Sequence, residues 1–210
     1  MKADRMKLTS IIYVWFFMGG RRYVKIVYSK FKPSGEISND CSRIDGVIAT
    51  CLLDWRENVV AKNTAKNQLL GMLAKPFLSI TETFAGNIKI PMKWISNMKA
   101  ITNNEELASF LMKDKKSAGA MVPLIFLYTM LNPIIKVEPE SFKDCPVLLV
   151  HPGEDRWTNI KLSNLFFDRL ACEKKTVVLD GAGHFPIESL GLKQLESACT
   201  EFVKKYISKE

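Results

Sequence analysis

Short, continuously apolar segments alternate with helix-like segments, and this alternation most constrains the fold of the chain. Gly46–Leu53 is apolar until Asp54 closes it, and Val147–Val150 and Lys175–Asp180 are two further strand-like runs. Helix faces follow the last two runs, formed by Leu162, Leu165, Phe166 and Leu170 and then by Leu192, Leu195, Cys199, Phe202, Val203 and Tyr206. Strands that are apolar on both sides are typical of parallel sheets covered by helices on both faces. The pattern predicts an α/β protein with a mostly parallel sheet flanked by helices.

The N-terminal apolar run, Leu8–Met18, has two interpretations. Basic residues precede it, as in a signal peptide, but Arg21 and Arg22 follow and no small-x-small cleavage site is present. The run is also shorter than the roughly 20 residues that a membrane-spanning helix needs. Because Ile11–Phe17 is rich in β-branched and aromatic residues and Gly19–Gly20 stops it, we interpret it as a buried strand and expect no integral membrane association.

The alternation of strand-like and helix-like segments is interrupted between Asp54 and Pro146. This interval is too long for an ordinary connection in a compact α/β domain. This segment is rich in Met, Phe, Leu and Lys. Helix-like stretches are expected at 65–73, 91–101, 104–112 and 118–131. The sequence therefore predicts a core in two parts, residues 1–56 and 144–210, with a helical cap inserted at 57–143.

Composition excludes several classes of function. The formal charge is +8, but the basic residues are scattered among acidic and apolar ones, so we expect no nucleic acid partner. Five cysteines without a CxxC pair cannot form a complete disulfide framework, which favours a reducing, cytoplasmic environment. With two histidines and no Cys or carboxylate at ligand spacing, no zinc or other metal site is expected, and no cofactor.

Two polar residues follow the last two predicted strands. Asp155 lies in His-Pro-Gly-Glu-Asp and His184 in Gly-Ala-Gly-His-Phe-Pro. Strand ends of a parallel sheet meet at one edge, so a carboxylate and an imidazole placed there could form part of a catalytic triad. Each also has a simpler interpretation, since Asp155 could cap the helix beginning near Asn159 and His184 could be held by backbone hydrogen bonds in a glycine-rich loop.

Two other polar residues end strands. We expect a structural role for His151. Asp54 could help to hold the cap or act as an alternative acid, and a solvated strand end is the interpretation we favour.

The motifs around Asp155 and His184 resemble the C-terminal half of an α/β-hydrolase, most similar to the monoacylglycerol lipase, lysophospholipase and serine aminopeptidase-like group. The order of acid before histidine matches that fold, in which the nucleophile comes first. The resemblance implies a serine hydrolase acting on carboxylic esters, with Asp155 as the acid and His184 as the base. A helical cap over the site implies a small hydrophobic acyl ester as substrate or ligand.

The nucleophile is where the sequence departs from the resemblance. The matching strand-to-helix stretch is Trp15–Gly20, in which Met18-Gly19-Gly20 fits the family pattern and Phe17 stands at the position of the serine. A phenyl ring cannot attack a carbonyl. The backbone amide of Met18 would supply one oxyanion donor, and neither Ser34 nor Ser38 lies in a Gly-x-Ser-x-Gly setting.

Two classes of function follow from these residues. The first is an α/β-hydrolase that is inactive or weakly active, and incomplete because the early strands of the fold would precede Leu8. The second is a non-catalytic binding or interaction protein derived from that fold. In the second case Phe17 fills the former nucleophile pocket, and an open sheet edge drives self-association.

Overall fold

A computed structural model describes residues 12–14, 46–133, 135 and 137–206 of the chain. In chain order the elements are β1 (Ile12–Val14), β2 (Val47–Ala49), α1 (Asn58–Thr64), α2 (Gln68–Ala85), β3 (Lys89–Pro91), α3 (Met92–Ile95), α4 (Glu105–Lys113), β4 (Met121–Pro123), α5 (Leu124–Leu131), β5 (Val147–Pro152), α6 (Ile160–Phe167), β6 (Lys174–Leu179) and α7 (Ser189–Tyr206). Two 3-10 turns lie at Met98–Ile101 and Pro139–Ser141.

The main sheet of the described chain has four strands in the order β1-β2-β5-β6, and every neighbouring pair is parallel. Its strands coincide closely with the apolar runs of the sequence. The predicted mostly parallel sheet is therefore confirmed. The helix predicted just after the N-terminal glycines lies outside the described residues.

Helices cover both faces of this sheet, and the alternation of side chains along the strands divides the core in two. Ile48, Leu148 and Val150 pack with Ala198 and Phe202 of α7. Their neighbours along the strands point to the other face and pack against the end of α6; this second cluster contains Val47, Ala49, Val147, Leu149, Phe167 and Leu170. Because both faces are buried, β2 and β5 need apolar side chains at consecutive positions.

Residues 58–131 form a hydrophobic core of their own. Its buried members are Ala61, Leu78, Met92, Met98, Ala118, Val122, Leu124, Leu127 and Leu131. Helix α2 packs against both α1 and α5, and β3 pairs antiparallel with β4. The predicted helical character of this segment is correct for α2, α4 and α5, but the continuous helix predicted over 118–131 is wrong. Its first part forms β4, because Val122 pairs with Ile90 of β3.

Helix α2 is longer than the predicted 65–73 stretch. Asn67 caps its first turn by accepting a hydrogen bond from the Leu70 amide (2.8 Å), and the helix continues through Pro76 to Ala85. Gly71 lets α2 approach α1 closely, since a Cβ there would lie 2.5 Å from the carbonyl oxygen of Ala61. Large apolar side chains remain exposed on the opposite side of α2, among them Phe77, Ile80 and Phe84. Within the described residues, no helix has both the length and the apolar character required to cross a bilayer.

Candidate active site

The carboxyl ends of β2, β5 and β6 lie side by side, because these three strands are adjacent and parallel. The loops that follow β5 and β6 are joined by two backbone hydrogen bonds. The Gly153 amide donates to the Leu179 carbonyl (2.8 Å), and the Glu154 amide donates to the Ala182 carbonyl (2.9 Å). Asp155 and His184, 29 positions apart in the sequence, are thereby brought together.

Asp155 and His184 are hydrogen-bonded. His184 Nδ1 lies 2.8 Å from Asp155 Oδ2, and the Asp155 side chain is almost completely buried whereas about a quarter of the His184 side chain is exposed. The second carboxylate oxygen, Oδ1, accepts from the backbone amides of Trp157 and Thr158, both at 2.8 Å. The two simpler interpretations of these residues do not account for this pair. The helix is capped by Asn159, which accepts from the Lys161 amide (3.0 Å), and not by Asp155.

The ionised form of Asp155 is favoured by its hydrogen bonds. Burial acts to raise the pKa of the carboxyl, but the bonds donated by His184 and by the Thr158 amide and hydroxyl outweigh it and hold the pKa below its usual range. An ionised carboxylate on Nδ1 favours the imidazole tautomer in which Nδ1 carries the hydrogen. The other ring nitrogen, Nε2, is then left as the proton acceptor.

The lowered pKa of Asp155 predicts how stability depends on pH. We expect Asp155→Asn to lower the free energy of unfolding by about 2 kcal/mol at neutral pH, which is typical of hydrogen bonds to a charged group. The ordinary pKa of this carboxyl is 3.8, and the value in the folded chain is lower. The ionised carboxylate therefore stabilises the fold above pH 3.8, and this stabilisation is lost as the pH falls through the folded-state value.

Urea unfolding of both proteins at neutral pH and in steps down to about pH 3 measures this difference. The gap between the two free energies of unfolding should shrink below about pH 4. A gap of constant size across that range would mean that ionisation of Asp155 does not stabilise the folded chain.

Gly181 and Gly183, which precede His184, are each required by the local structure for a different reason. Gly181 has a φ angle of +65°, in the left-handed region that side chains with a Cβ rarely adopt. Gly183 lies against Asn103, and a Cβ on it would approach the Asn103 side chain to 2.9 Å. Two hydrogen bonds also join this edge to the 98–103 stretch, from the Phe185 amide to the Ile101 carbonyl (2.9 Å) and from Asn103 Nδ2 to the Glu154 carbonyl (3.1 Å).

Trp157 is a site residue that sequence reasoning missed. Its ring meets the His184 ring edge to face, with centroids 4.7 Å apart, and its Nε1 donates to the Thr64 carbonyl at the end of α1 (3.0 Å). Trp157 thus limits the orientation of the imidazole and ties the acid's loop to residues 58–131. The aromatic residue two positions after the acid is the only signal in the sequence for this role.

Thr158 was also not singled out by the sequence, and it contacts both members of the pair. Its hydroxyl donates to Asp155 Oδ2 (2.8 Å), and Oγ1 lies 3.0 Å from His184 Nδ1. Cys51, just beyond the end of β2, reaches the same hydroxyl at 3.3 Å. The site therefore includes a residue from the neighbouring strand, far away in the sequence.

The structure assigns other surroundings to the remaining sequence candidates. Asp54 is not a solvated strand end, because it is buried and both its oxygens accept from Arg56, with Arg169 within 3.5 Å. Hydrogen bonds from Arg56 lower the pKa of Asp54 despite burial, and Arg56 also pairs with Glu138. Asp54 therefore helps to join the two ends of the 57–143 segment, which is one of the three interpretations that the sequence offered.

His151 is fully buried in β5. Burial lowers the pKa of its imidazole and so favours the neutral form, and Nδ1 donates to the Pro152 carbonyl at 2.9 Å. In the described part of the chain, no group of three or more His, Cys, Asp or Glu side chains is arranged to hold a metal ion. A cleft of ≈ 330 Å³ lies between the start of β6 and the end of α7, at the opposite end of β6 from His184.

The proposed nucleophile position, Phe17, and the proposed oxyanion donor, the Met18 amide, lie outside the described residues. Their placement relative to His184 therefore stays a prediction from the sequence.

Comparisons with known proteins agree on the fold. No protein-family model matches the chain, and no curated protein does. The chain is similar to the crystal structure of a monoacylglycerol lipase from Paleococcus ferrophilus, with 16% identity and a TM-score of 0.55 over 78% of this chain. It is also similar to a soluble variant of monoglyceride lipase from Saccharomyces cerevisiae in complex with a substrate analogue, with 17% identity and a TM-score of 0.57 over 80% of this chain.

A third similar structure is DcsB in complex with its substrate analogue, with 16% identity and a TM-score of 0.51 over 80% of this chain. The chain spans 60%, 55% and 58% of these three proteins, which is little more than half of their length. At this level of identity the likeness shows a shared fold. The described chain has a partial α/β-hydrolase fold.

Proposed function

We propose that this chain carries the acid and histidine of an ester-hydrolase site of the α/β-hydrolase family, and that Phe17 makes it inactive or weakly active as a serine hydrolase. The observation that carries the proposal is the 2.8 Å bond between Asp155 Oδ2 and His184 Nδ1 at the carboxyl edge of the parallel sheet. This is the edge at which the α/β-hydrolase triad is assembled. The lipases with a similar fold support the same reaction class.

In the proposed reaction, Asp155 holds the imidazole by Nδ1 and stabilises the positive charge that develops on it. In a chain with serine at position 17, His184 Nε2 takes the proton of that hydroxyl as its oxygen attacks the ester carbonyl. The Met18 amide stabilises the oxyanion, and His184 then returns the proton to the leaving alcohol. Water, activated by the same nitrogen, releases the acyl group. The reaction needs no metal or cofactor.

We assign the substrate class from the segment beside the site. Residues 57–143 act as a helical cap in this proposal, because the 98–103 stretch contacts the His184 loop and Trp157 contacts the end of α1. The segment has its own apolar core and exposes further apolar side chains. A cap of this character suits a small ester with a hydrophobic acyl chain. We further propose that the protein is cytoplasmic and that it self-associates through an open edge of its sheet.

A second candidate function is supported by Phe17 itself. A phenyl ring at the nucleophile position cannot form an acyl-enzyme, whereas it can fill an apolar pocket. The chain would then be a non-catalytic protein that binds a hydrophobic ligand or a partner beneath the cap. Binding of a fluorescent fatty-acyl ester without turnover would favour this function over catalysis.

Labelling with a fluorophosphonate probe tests the proposed inactivity. We expect the unmodified 210-residue chain to give no adduct, because this probe reacts with an activated serine and none is expected beside His184. Peptide mass spectrometry after labelling measures the result, with a known serine esterase as the positive control. An adduct on any serine that disappears in His184→Ala would mean that the chain has a displaced but working nucleophile.

A further inference from the structure

Four buried side chains, those of Ser163, Cys51, Thr158 and Asp155 itself, form a continuous series of hydrogen bonds. The Leu52 amide lies 3.2 Å from Ser163 Oγ, and Ser163 Oγ lies 3.7 Å from Cys51 Sγ. Cys51 Sγ lies 3.3 Å from Thr158 Oγ1, which lies 2.8 Å from Asp155 Oδ2. All four of these side chains are buried, so water cannot readily replace any of the bonds.

The two ends of this chain fix its direction. A backbone amide can only donate, and an ionised carboxylate can only accept. The Thr158 hydroxyl must therefore give its single hydrogen to Asp155, which leaves its oxygen to accept from the Cys51 thiol. The sulfur of Cys51 accepts in turn from Ser163, whose oxygen accepts from the Leu52 amide. The hydrogens of Ser163, Cys51 and Thr158 then all point along this series toward Asp155. Because the Thr158 hydrogen is on Asp155, the 3.0 Å contact between Thr158 Oγ1 and His184 Nδ1 leaves the ring nitrogen as the donor.

Cys51 keeps its hydrogen in this arrangement. Burial is the main cause that raises the pKa of its thiol to about 11, so the sulfur is protonated at neutral pH and serves as a donor. A thiol in this state is neither a nucleophile nor a metal ligand. The structure leaves it a role as a hydrogen-bonding partner of Thr158.

We propose that Thr158 is a positioning residue for the Asp155–His184 pair, and that Cys51 and Ser163 set the direction in which its hydroxyl donates. Oδ2 then receives two hydrogens, one from Thr158 and one from His184 Nδ1, while Oδ1 is held by two backbone amides. The two amides and the Thr158 hydroxyl hold the carboxylate independently of His184 and keep its Oδ2 aimed at Nδ1. By holding Oδ2 on Nδ1, Thr158 strengthens the preference for the imidazole tautomer that the proposed reaction requires.

The residues of this hydrogen-bond series come from three parts of the fold that meet at the edge of the sheet. Cys51 and Leu52 follow β2, Ser163 lies on α6, and Thr158 lies in the turn before that helix. The bonds therefore fasten the acid's loop to the neighbouring strand and to the helix that covers it. A structural role alone would be satisfied by any side chain that fills the space at 158, whereas positioning requires the hydroxyl.

The experiment reads the tautomer of His184 by two-dimensional ¹H–¹⁵N nuclear magnetic resonance of the ¹⁵N-histidine-labelled chain. Only two histidines are present, so the signals of His184 are assigned with His184→Gln. We expect the Nδ1–H tautomer in the unmodified chain and in Thr158→Ser, and a mixture of tautomers in Thr158→Val, which has the same shape without the hydroxyl. Thr176→Val, at an exposed position of β6, is the matched control and should leave the tautomer unchanged.

A second variant keeps the proposal testable if Thr158→Val does not fold. Cys51→Ala leaves Thr158 in place but removes its donor, and should shift the tautomer ratio in the same direction by a smaller amount. A folded Thr158→Val or Cys51→Ala chain with the same pure Nδ1–H tautomer as the unmodified chain would overturn the proposal. So would a Thr158→Ser chain that loses the tautomer as completely as the valine variant.

The positioning role of Thr158 matters for catalysis only if the proposed function is correct, and in that respect it rests on the proposed function. The tautomer measurement needs no turnover, so it tests the positioning role separately. If Phe17→Ser gives an active chain, adding Thr158→Val should lower kcat about 10-fold with little change in KM, while Thr158→Ser restores it. An equal loss in Thr158→Ser would contradict positioning by the hydroxyl. An inactive Phe17→Ser chain with the expected tautomers would reject the proposed function and leave the positioning role standing.

Discussion

Replacing Phe17 by serine is expected to give this chain ester hydrolase activity. The substitution supplies a hydroxyl at the position that the strand-to-helix stretch Trp15–Gly20 assigns to the nucleophile, while the acid and base are already joined at 2.8 Å. We expect hydrolysis of a p-nitrophenyl ester of a medium-length fatty acid to rise at least about 100-fold over the unmodified chain, since a nucleophile with its base contributes that much or more.

The neighbouring residue provides a matched control for this gain. Phe16→Ser makes the same chemical change one position away in the sequence, at a residue that the family pattern does not assign to the nucleophile. Its rate should remain at the level of the unmodified chain. Equal rates in the two serine variants, with both folded by circular dichroism, would refute the assignment of position 17.

Replacing His184 by alanine in the Phe17→Ser chain is expected to abolish the gained activity. Without the imidazole the serine loses the base assigned to it, so the rate should fall about 100-fold, to that of the unmodified chain. Asp155→Asn should cause a loss of the same order, because an amide cannot hold His184 in the required tautomer or stabilise its charge. Steady-state hydrolysis of the same ester measures both effects.

The other histidine provides the control for this prediction. His151 is buried in β5 and bonded to the Pro152 carbonyl, so His151→Gln should change stability more than the rate of the folded chain. Retention of most of the activity in His184→Ala would show that the serine reacts without this imidazole. The proposed acid–base pair would then have no role in catalysis.

The parts of the fold that could be predicted are those in which a short stretch of sequence decides the structure. The apolar runs of β2, β5 and β6 and the spaced apolar residues of α6 and α7 lie close to their predicted positions, because burial on two faces or on one stripe leaves a local pattern. Asp155 and His184 could be singled out for the same reason, since each follows a strand by a few residues.

The parts that could not be predicted depend on contacts between distant residues. The pairing of Ile90 with Val122 converts part of a predicted helix into β4, and nothing local at 118–123 signals it. The Cys51–Thr158 bond joins residues 107 positions apart, and the Ser163–Cys51 bond joins residues 112 apart. Asp54 was expected to be solvated because a strand end usually is, whereas Arg56 and Arg169 meet it in the fold.

Locating the fluorophosphonate adduct on the Phe17→Ser chain by peptide mass spectrometry shows whether Asp155 and His184 activate a serine at position 17. We expect a single adduct at position 17, absent from the unmodified chain, from Phe16→Ser and from Phe17→Ser combined with His184→Ala. A folded Phe17→Ser chain that forms no adduct, or one that forms its adduct equally well without His184, would contradict the claim that Asp155 and His184 are the acid and base of a hydrolase site.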